Sequence, residues 1–127
     1  MKRLLIVDDA LFMRRLIAGV ARDAGWEVAG EAADGERAVA MHAELRPDLT
    51  TMDLVMPVMG GLEALARIRE ADPDARVVVV TAVDQKQSVI DAIRLGALDF
   101  IVKPFDRARV VSLLRKAAGA GEPPPDA

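Results

Sequence analysis

Three aspartates, one threonine and one lysine stand out because each follows a short apolar run. Asp8 and Asp9 follow the first run, Asp53 the third, Thr81 the fourth and Lys103 the fifth. If the runs are parallel strands of one sheet, their carboxyl ends meet at a single edge, where ligands of open α/β sheets bind. The five side chains would then form one polar site.

The three carboxylates predict a cation in that site. At about 5 Å and an effective dielectric constant near 20, each pair of unit negative charges repels by roughly 3 kcal/mol. Lys103 supplies only one positive charge, and folds are too marginally stable to ignore such repulsion. Oxygen ligands favour Mg²⁺, which binds one or two carboxylates together with a phosphoryl oxygen. We therefore predict a magnesium-dependent phosphoryl site in which one aspartate is the nucleophile, and Thr81 and Lys103 hold phosphoryl oxygens.

The apolar runs that position these residues are short and rich in β-branched side chains, as in strands buried on both faces of a parallel sheet. We predict five strands, at residues 3–7, 27–31, 49–52, 77–80 and 100–102.

Amphipathic segments separate the strands and predict helices. The first helix stops before Gly25. Its predicted buried face consists of Met13, Leu16, Ile17, Val20 and Ala24. Further helices are predicted at 36–45, 61–71 and 84–95, the last of these with Asp84 as N-cap and Gly96 as terminator, and a fifth ends at Ala118. This alternation predicts an α/β fold: a five-stranded doubly wound parallel sheet with helices on both faces.

Composition predicts one folded domain. The chain has 127 residues, 52% of them apolar, and a net charge of −3, which excludes a disordered chain. We assign residues 1–118 to the domain and 119–127 to a flexible, proline-rich, acidic tail. The absence of cysteine excludes disulfides and cysteine-ligated zinc. Asp8 interrupts the apolar start of the chain too early for a signal peptide, so we expect a cytoplasmic protein.

These residues resemble the receiver domain of two-component response regulators, in particular the single-domain chemotaxis regulators of the CheY type. The resemblance covers residues 2–118. Its markers are the pair Asp8-Asp9, the run 52–57 followed by Gly61, the pair Thr81-Ala82, and Lys103-Pro104-Phe105. It implies the flavodoxin-like (βα)5 receiver fold and the function of a phosphorelay response regulator in chemotaxis or motility signalling.

The resemblance also implies a role for each site residue. Asp53 would accept a phosphoryl group from a histidine kinase or a small phosphodonor, while Thr81 and Lys103 contact that group. Asp9 would bind Mg²⁺ directly, Asp8 mainly through water, and the backbone carbonyl of Val55 would be a further ligand. The peptide between Lys103 and Pro104 would be cis.

Signalling would follow from a change in surface shape. In receiver domains, inward movement of the hydroxyl, here Thr81, lets an aromatic residue, here Phe100, turn inward. This alters the face formed by the fourth helix, fifth strand and fifth helix, where an output partner such as a flagellar motor switch binds. We expect a monomer that binds neither nucleic acid nor membrane, has a phosphatase as a further partner, and catalyses only its own phosphorylation and dephosphorylation.

Val55, two residues after Asp53, and Val83, two residues after Thr81, are apolar here although the family often has polar residues at these positions. We expect slow hydrolysis of the aspartyl phosphate, because neither side chain can orient water.

Other functions fit the sequence less well. A receiver domain from a longer regulator, such as a transcription factor, remains an alternative. A magnesium-dependent phosphohydrolase of the haloacid dehalogenase kind would need two aspartates separated by one residue, whereas Asp8 and Asp9 are adjacent. A flavin binder is disfavoured because these aspartates would repel the flavin phosphate.

Away from the site, we expect His42 to be a solvated helix residue and Trp26 to pack against a helix.

Overall fold

The computed structural model describes residues 2–119, so all of the predicted tail except Gly119 lies outside the described residues. Strands and helices alternate along the described chain. The strands are β1 (Arg3–Val7), β2 (Glu27–Ala32), β3 (Leu49–Asp53), β4 (Val77–Ala82) and β5 (Asp99–Lys103). The helices are α1 (Leu11–Asp23), α2 (Gly35–Leu45), α3 (Gly61–Ala71), α4 (Lys86–Arg94) and α5 (Arg107–Ala118).

The five strands form one parallel sheet in the order β2-β1-β3-β4-β5. This order confirms the predicted doubly wound, flavodoxin-like fold. The strand order reverses between β1 and β3, which are paired with Val7 opposite Met52. Ligands of doubly wound sheets bind at such a switch point, beyond the carboxyl ends of the strands.

Apolar layers cover both faces of the sheet. One layer includes Ile6, Val78 and Ile101 packed with α1 and α5, and the other includes Leu5 and Val79 packed with α2, α3 and α4. Burial on both faces explains why the strands are continuous apolar runs rather than alternating patterns. Trp26 lies buried in the first layer, as predicted.

Glycines and aspartates mark several helix boundaries. Gly25 and Gly96 have φ angles of +88° and +101° after α1 and α4, which confirms both predicted terminators. The side chain of Asp34 caps α2 by accepting from the backbone N–H of Arg37.

The start of α4 differs from the prediction. Asp84 is not its N-cap: Gln85 occupies that position, and the helix begins at Lys86. The backbone N–H of Gln85 donates to the Ala82 carbonyl at 3.1 Å, so the chain makes a turn after β4 before helical geometry begins.

Two predictions about helix faces were wrong. Leu16 and Ala24 are exposed, because α1 is buried mainly through Ile17, Val20 and the small residues Ala18 and Ala21. His42 is buried, because α2 packs against α3 as well as against the sheet. Burial lowers the pKa of the His42 imidazole, so the predicted solvated histidine is instead a desolvated one.

None of the helices in the described part of the chain combines the length and apolarity needed to span a membrane.

Candidate functional site

The three predicted carboxylates meet at the switch point of the sheet. One carboxylate oxygen from each of Asp8, Asp9 and Asp53 lies within 4.8 Å of the other two. Asp8 and Asp53 are only 1% and 7% exposed, whereas Asp9 is open to solvent. Two buried carboxylates and one accessible carboxylate form an all-oxygen donor set, which fits a hard divalent cation.

Lys103 is the positive charge that faces these carboxylates. Its Nζ donates to Asp8 Oδ2 at 2.9 Å and lies 3.7 Å from Asp53 Oδ2. The peptide between Lys103 and Pro104 is cis, as predicted. A single ammonium group therefore faces three carboxylates, and the site keeps an excess of negative charge.

The ionisation of Asp53 reflects both its burial and this excess charge. The pKa of its carboxyl is raised from 3.8 to about 6, first by burial and then by the negative charge of Asp8. The Lys103 ammonium and the Val55 N–H act in the opposite direction. Asp53 is thus ionised at neutral pH but more basic than an ordinary aspartate.

Thr81 and Val55 lie beside Asp53. Asp53 pairs with Val80 across the sheet, so Thr81 is the next residue along β4. The buried Thr81 hydroxyl makes only a long contact, 3.4 Å, to the Ala82 carbonyl. The Val55 N–H donates to Asp53 Oδ1 at 3.4 Å, which places the Val55 backbone at the site while its side chain faces solvent.

Phe100 lies apart from the carboxylates. It is opposite Val79 on the edge strand β5 and is 37% exposed. Its carbonyl accepts a hydrogen bond from Arg109 Nη2 of α5 at 2.7 Å. Phe100 is therefore partly exposed in the described conformation.

Gly61, noted in the sequence only as a marker, has a steric role at the site. Its N–H donates to the Leu54 carbonyl at 3.0 Å, and a Cβ atom there would collide with the backbone of Asp53 and Leu54. Glycine therefore allows α3 to begin directly against the end of β3.

The sequence reasoning missed one residue, Arg14 of α1. Its Nη1 donates to the Asp8 carbonyl at 2.8 Å, and its Nε donates to Glu31 Oε1 at 3.2 Å. No local sequence signal predicts this contact, because Glu31 lies on a different element.

A doubly wound α/β domain with an acidic cluster and a facing lysine at its switch point has the architecture of phosphoacceptor receiver domains. The profile of the family described as "Response regulator receiver domain" matches residues 4–115. The chain belongs to this family.

Relatives from several bacteria are similar over nearly their whole length. The chain is 50% identical to the chemotaxis protein CheY of Thermotoga maritima, over 92% of this chain and 98% of the relative. It is 51% identical to CheY of Listeria monocytogenes, over 93% of this chain and 99% of that relative.

A solved structure agrees with these matches. A chain of the CheX-CheY-BeF3-Mg+2 complex from Borrelia burgdorferi has 35% identity and a TM-score of 0.85, covering 94% of this chain and 88% of that one. The chain is therefore a CheY-like phosphoacceptor signalling protein and not a turnover enzyme.

The raised pKa of Asp53 predicts how stability depends on pH. Between about pH 4 and pH 6 the folded state holds this proton more tightly than the unfolded state, so this group's contribution to the free energy of unfolding falls as pH rises. The loss reaches at most about 3 kcal/mol. Without divalent cations, Asp53→Asn should therefore stabilise the protein at pH 7.5 far more than at pH 4.5.

Urea denaturation of both proteins at the two pH values checks this. Saturating Mg²⁺ should shrink the difference at pH 7.5, because a cation favours the ionised carboxylate. An equal effect of Asp53→Asn at both pH values would contradict the prediction.

Proposed function

We propose that Asp53 accepts a phosphoryl group from a histidine kinase in a magnesium-dependent reaction, and that the protein thereby transmits a chemotaxis signal. The observation that carries this proposal is the juxtaposition of Asp53 with Asp8, Asp9 and Lys103. A carboxylate oxygen of Asp53 forms the new bond to phosphorus, and the bond between phosphorus and the donor's histidine nitrogen breaks. A small donor such as acetyl phosphate would react in the same way, with a P–O bond breaking.

The hydrogen bonds of the two neighbouring aspartates support different roles in holding Mg²⁺. Asp8 Oδ1 accepts from the Ala10 N–H at 2.9 Å and Oδ2 accepts from Lys103, so both of its oxygens are already engaged. We assign Asp8 to water-mediated contact and the exposed Asp9 to direct ligation, together with Asp53 and the Val55 carbonyl. The ion would supply positive charge that lowers the repulsion between an incoming phosphoryl group and the carboxylates.

Thr81 and Lys103 then stabilise the phosphorylated state. The Thr81 hydroxyl and the Lys103 ammonium donate hydrogen bonds to phosphoryl oxygens, and for Thr81 the charged phosphoryl oxygen is a stronger acceptor than its present partner, the Ala82 carbonyl. Movement of Thr81 toward the phosphoryl group leaves space for Phe100 to turn inward. Because phenylalanine has no hydroxyl, the inward state is stabilised by packing alone, and phosphorylation shifts a population between two states.

The output surface is the face formed by α4, β5 and α5. Exposed apolar side chains run from the middle of α4 to β5, namely Ile90, Ile93, Leu95, Leu98 and Phe100. We propose that an output protein, the flagellar motor switch in a chemotaxis pathway, binds here. A change in Phe100 alters this patch directly, which links the acidic site to the partner.

The remaining parts of the proposal concern the protein's context. We propose that residues 1–118 form the receiver unit and that the protein acts as a cytoplasmic monomer with a kinase, an output protein and a phosphatase as partners. The Borrelia relative was solved with CheX, BeF3 and magnesium, which supports both a magnesium site and a protein partner.

Phosphorylation by radiolabelled acetyl phosphate tests the role of Asp53. Asp53→Asn should lower covalent labelling to background, because the amide is not a nucleophile for this reaction. Asp74→Asn is the matched control, because Asp74 is exposed and lies outside the site. Labelling of Asp53→Asn at the rate of the parent would refute the proposal, as would labelling that is unaffected by removing magnesium.

The lifetime of the aspartyl phosphate tests the role of the two flanking valines. Val55 and Val83 are 65% and 80% exposed, so both border solvent from which water must attack. We expect a lifetime of minutes or longer at neutral pH with Mg²⁺, and a several-fold shorter lifetime in Val55→Asn and Val83→Glu, whose side chains can hydrogen-bond water.

Release of inorganic phosphate from purified, labelled protein measures this lifetime. Val58→Asn is the control, because Val58 is an exposed valine of the same loop with a φ of +68° that asparagine tolerates. A lifetime of seconds for the parent, or equal effects of all three substitutions, would contradict the prediction.

A further inference from the structure

We propose that Arg14 is a positioning residue, which sets the geometry of the magnesium-binding turn by joining the Asp8 carbonyl to Glu31 at the end of β2. This inference rests on the proposed magnesium site. Arg14 lies on α1, and its guanidinium donates through Nη1 to the Asp8 carbonyl at 2.8 Å and through Nε to Glu31 Oε1 at 3.2 Å.

The turn after β1 is tied to the end of β2 at two points. The Asp8 N–H donates to the Ala32 carbonyl at 3.0 Å, which extends the pairing of β1 with β2. Arg14 adds the second tie, from the carbonyl side of Asp8 to the neighbouring residue Glu31. The main chain of Asp8 is thus held on both sides, and the position of the following Asp9 depends on it.

The Arg14–Glu31 pair is less accessible than the Arg107–Asp23 pair, which also joins α1 to another element. The side chains of Arg14 and Glu31 are 16% and 26% exposed, whereas those of Arg107 and Asp23 are 56% and 65% exposed. Solvent weakens exposed pairs most strongly, so the Arg14 pair is the better anchor.

The two contacts of Arg14 require the shape of its side chain. A guanidinium presents several donors in one rigid plane and reaches two separate acceptors at once, whereas a lysine ammonium is a single point of attachment. Groups that orient direct ligands commonly alter metal affinity by 10- to 100-fold, because a ligand that is already in place loses less freedom on binding. The expected effect of Arg14 is therefore on magnesium affinity.

The test compares two charge-balanced double variants. Arg14→Gln/Glu31→Gln removes the anchor without leaving an unpaired charge. Arg107→Gln/Asp23→Asn is the control, because it removes an exposed ion pair that also joins α1 to another element, α5. This pair has no hydrogen bond to Asp8 or Asp9. Both change the same number of positive and negative charges.

Calorimetric titration of unphosphorylated protein with MgCl₂ is the primary measurement, and thermal unfolding in metal-free buffer runs beside it. We expect the dissociation constant for Mg²⁺ to rise about tenfold in the Arg14/Glu31 variant and to stay within about twofold of the parent in the control. Acetyl phosphate labelling should then recover at high magnesium, which separates weakened metal binding from a lost chemical step.

Arg14→Lys provides a second variant that keeps the charge. We expect its affinity for Mg²⁺ to lie between those of the parent and the double variant. A dissociation constant for Mg²⁺ equal to that of the parent in both Arg14→Lys and the double variant would overturn the inference. This holds even if both variants unfold at lower temperature, because a contact that only stabilises the fold would lower the unfolding temperature without changing magnesium affinity.

The outcome is independent of the phosphoacceptor assignment. If Asp53→Asn still took up label, the proposed function would fail while the magnesium titration of the Arg14 variants would still report on the anchor. If Asp53→Asn lost its label and the Arg14 variants bound Mg²⁺ normally, only the inference about Arg14 would fail.

Discussion

Repulsion among three carboxylates is the constraint on which the site depends. Asp8, Asp9 and Asp53 bring oxygens within 4.8 Å of one another, and at that distance each charged pair costs about 3 kcal/mol at an effective dielectric constant of 20. Lys103 offsets part of this cost through its contact with Asp8, yet burial and the Asp8 charge still raise the pKa of Asp53 to about 6. The same crowding fits the cluster to a divalent cation, on which the proposed phosphoryl transfer depends.

The fold holds the carboxylates together by several independent means. The order β2-β1-β3-β4-β5 places the ends of β1 and β3 side by side, so residues 45 positions apart become neighbours. Gly61 lets α3 start against Asp53, and the Asp8 main chain is held by Ala32 and Arg14. A site under electrostatic repulsion needs such support, because relaxation of the turns would otherwise move the three carboxylates apart.

Structural features that depend on the local sequence, such as the strands, were predictable. Features that depend on packing between elements were not. The strands and the site residues followed from apolar runs that end in polar side chains, although β2 to β5 each extend one or two residues beyond the predicted runs because backbone pairing continues past them. His42 and Leu16 were assigned to the wrong environment because the orientation of α1 and α2 depends on Ala18, Ala21 and α3. Arg14 was missed because its partner Glu31 becomes a neighbour only in the folded chain.

The most direct test is the ionisation of Asp53 itself. Carbon-detected NMR of the Asp53 carboxyl group, followed from pH 3 to pH 8, gives its titration midpoint with and without saturating Mg²⁺. Burial of the carboxyl together with the nearby Asp8 charge predicts a midpoint near 6 in metal-free buffer, and a bound magnesium ion predicts a clearly lower one. A midpoint near that of an ordinary aspartate in metal-free buffer, unmoved by magnesium, would contradict the account.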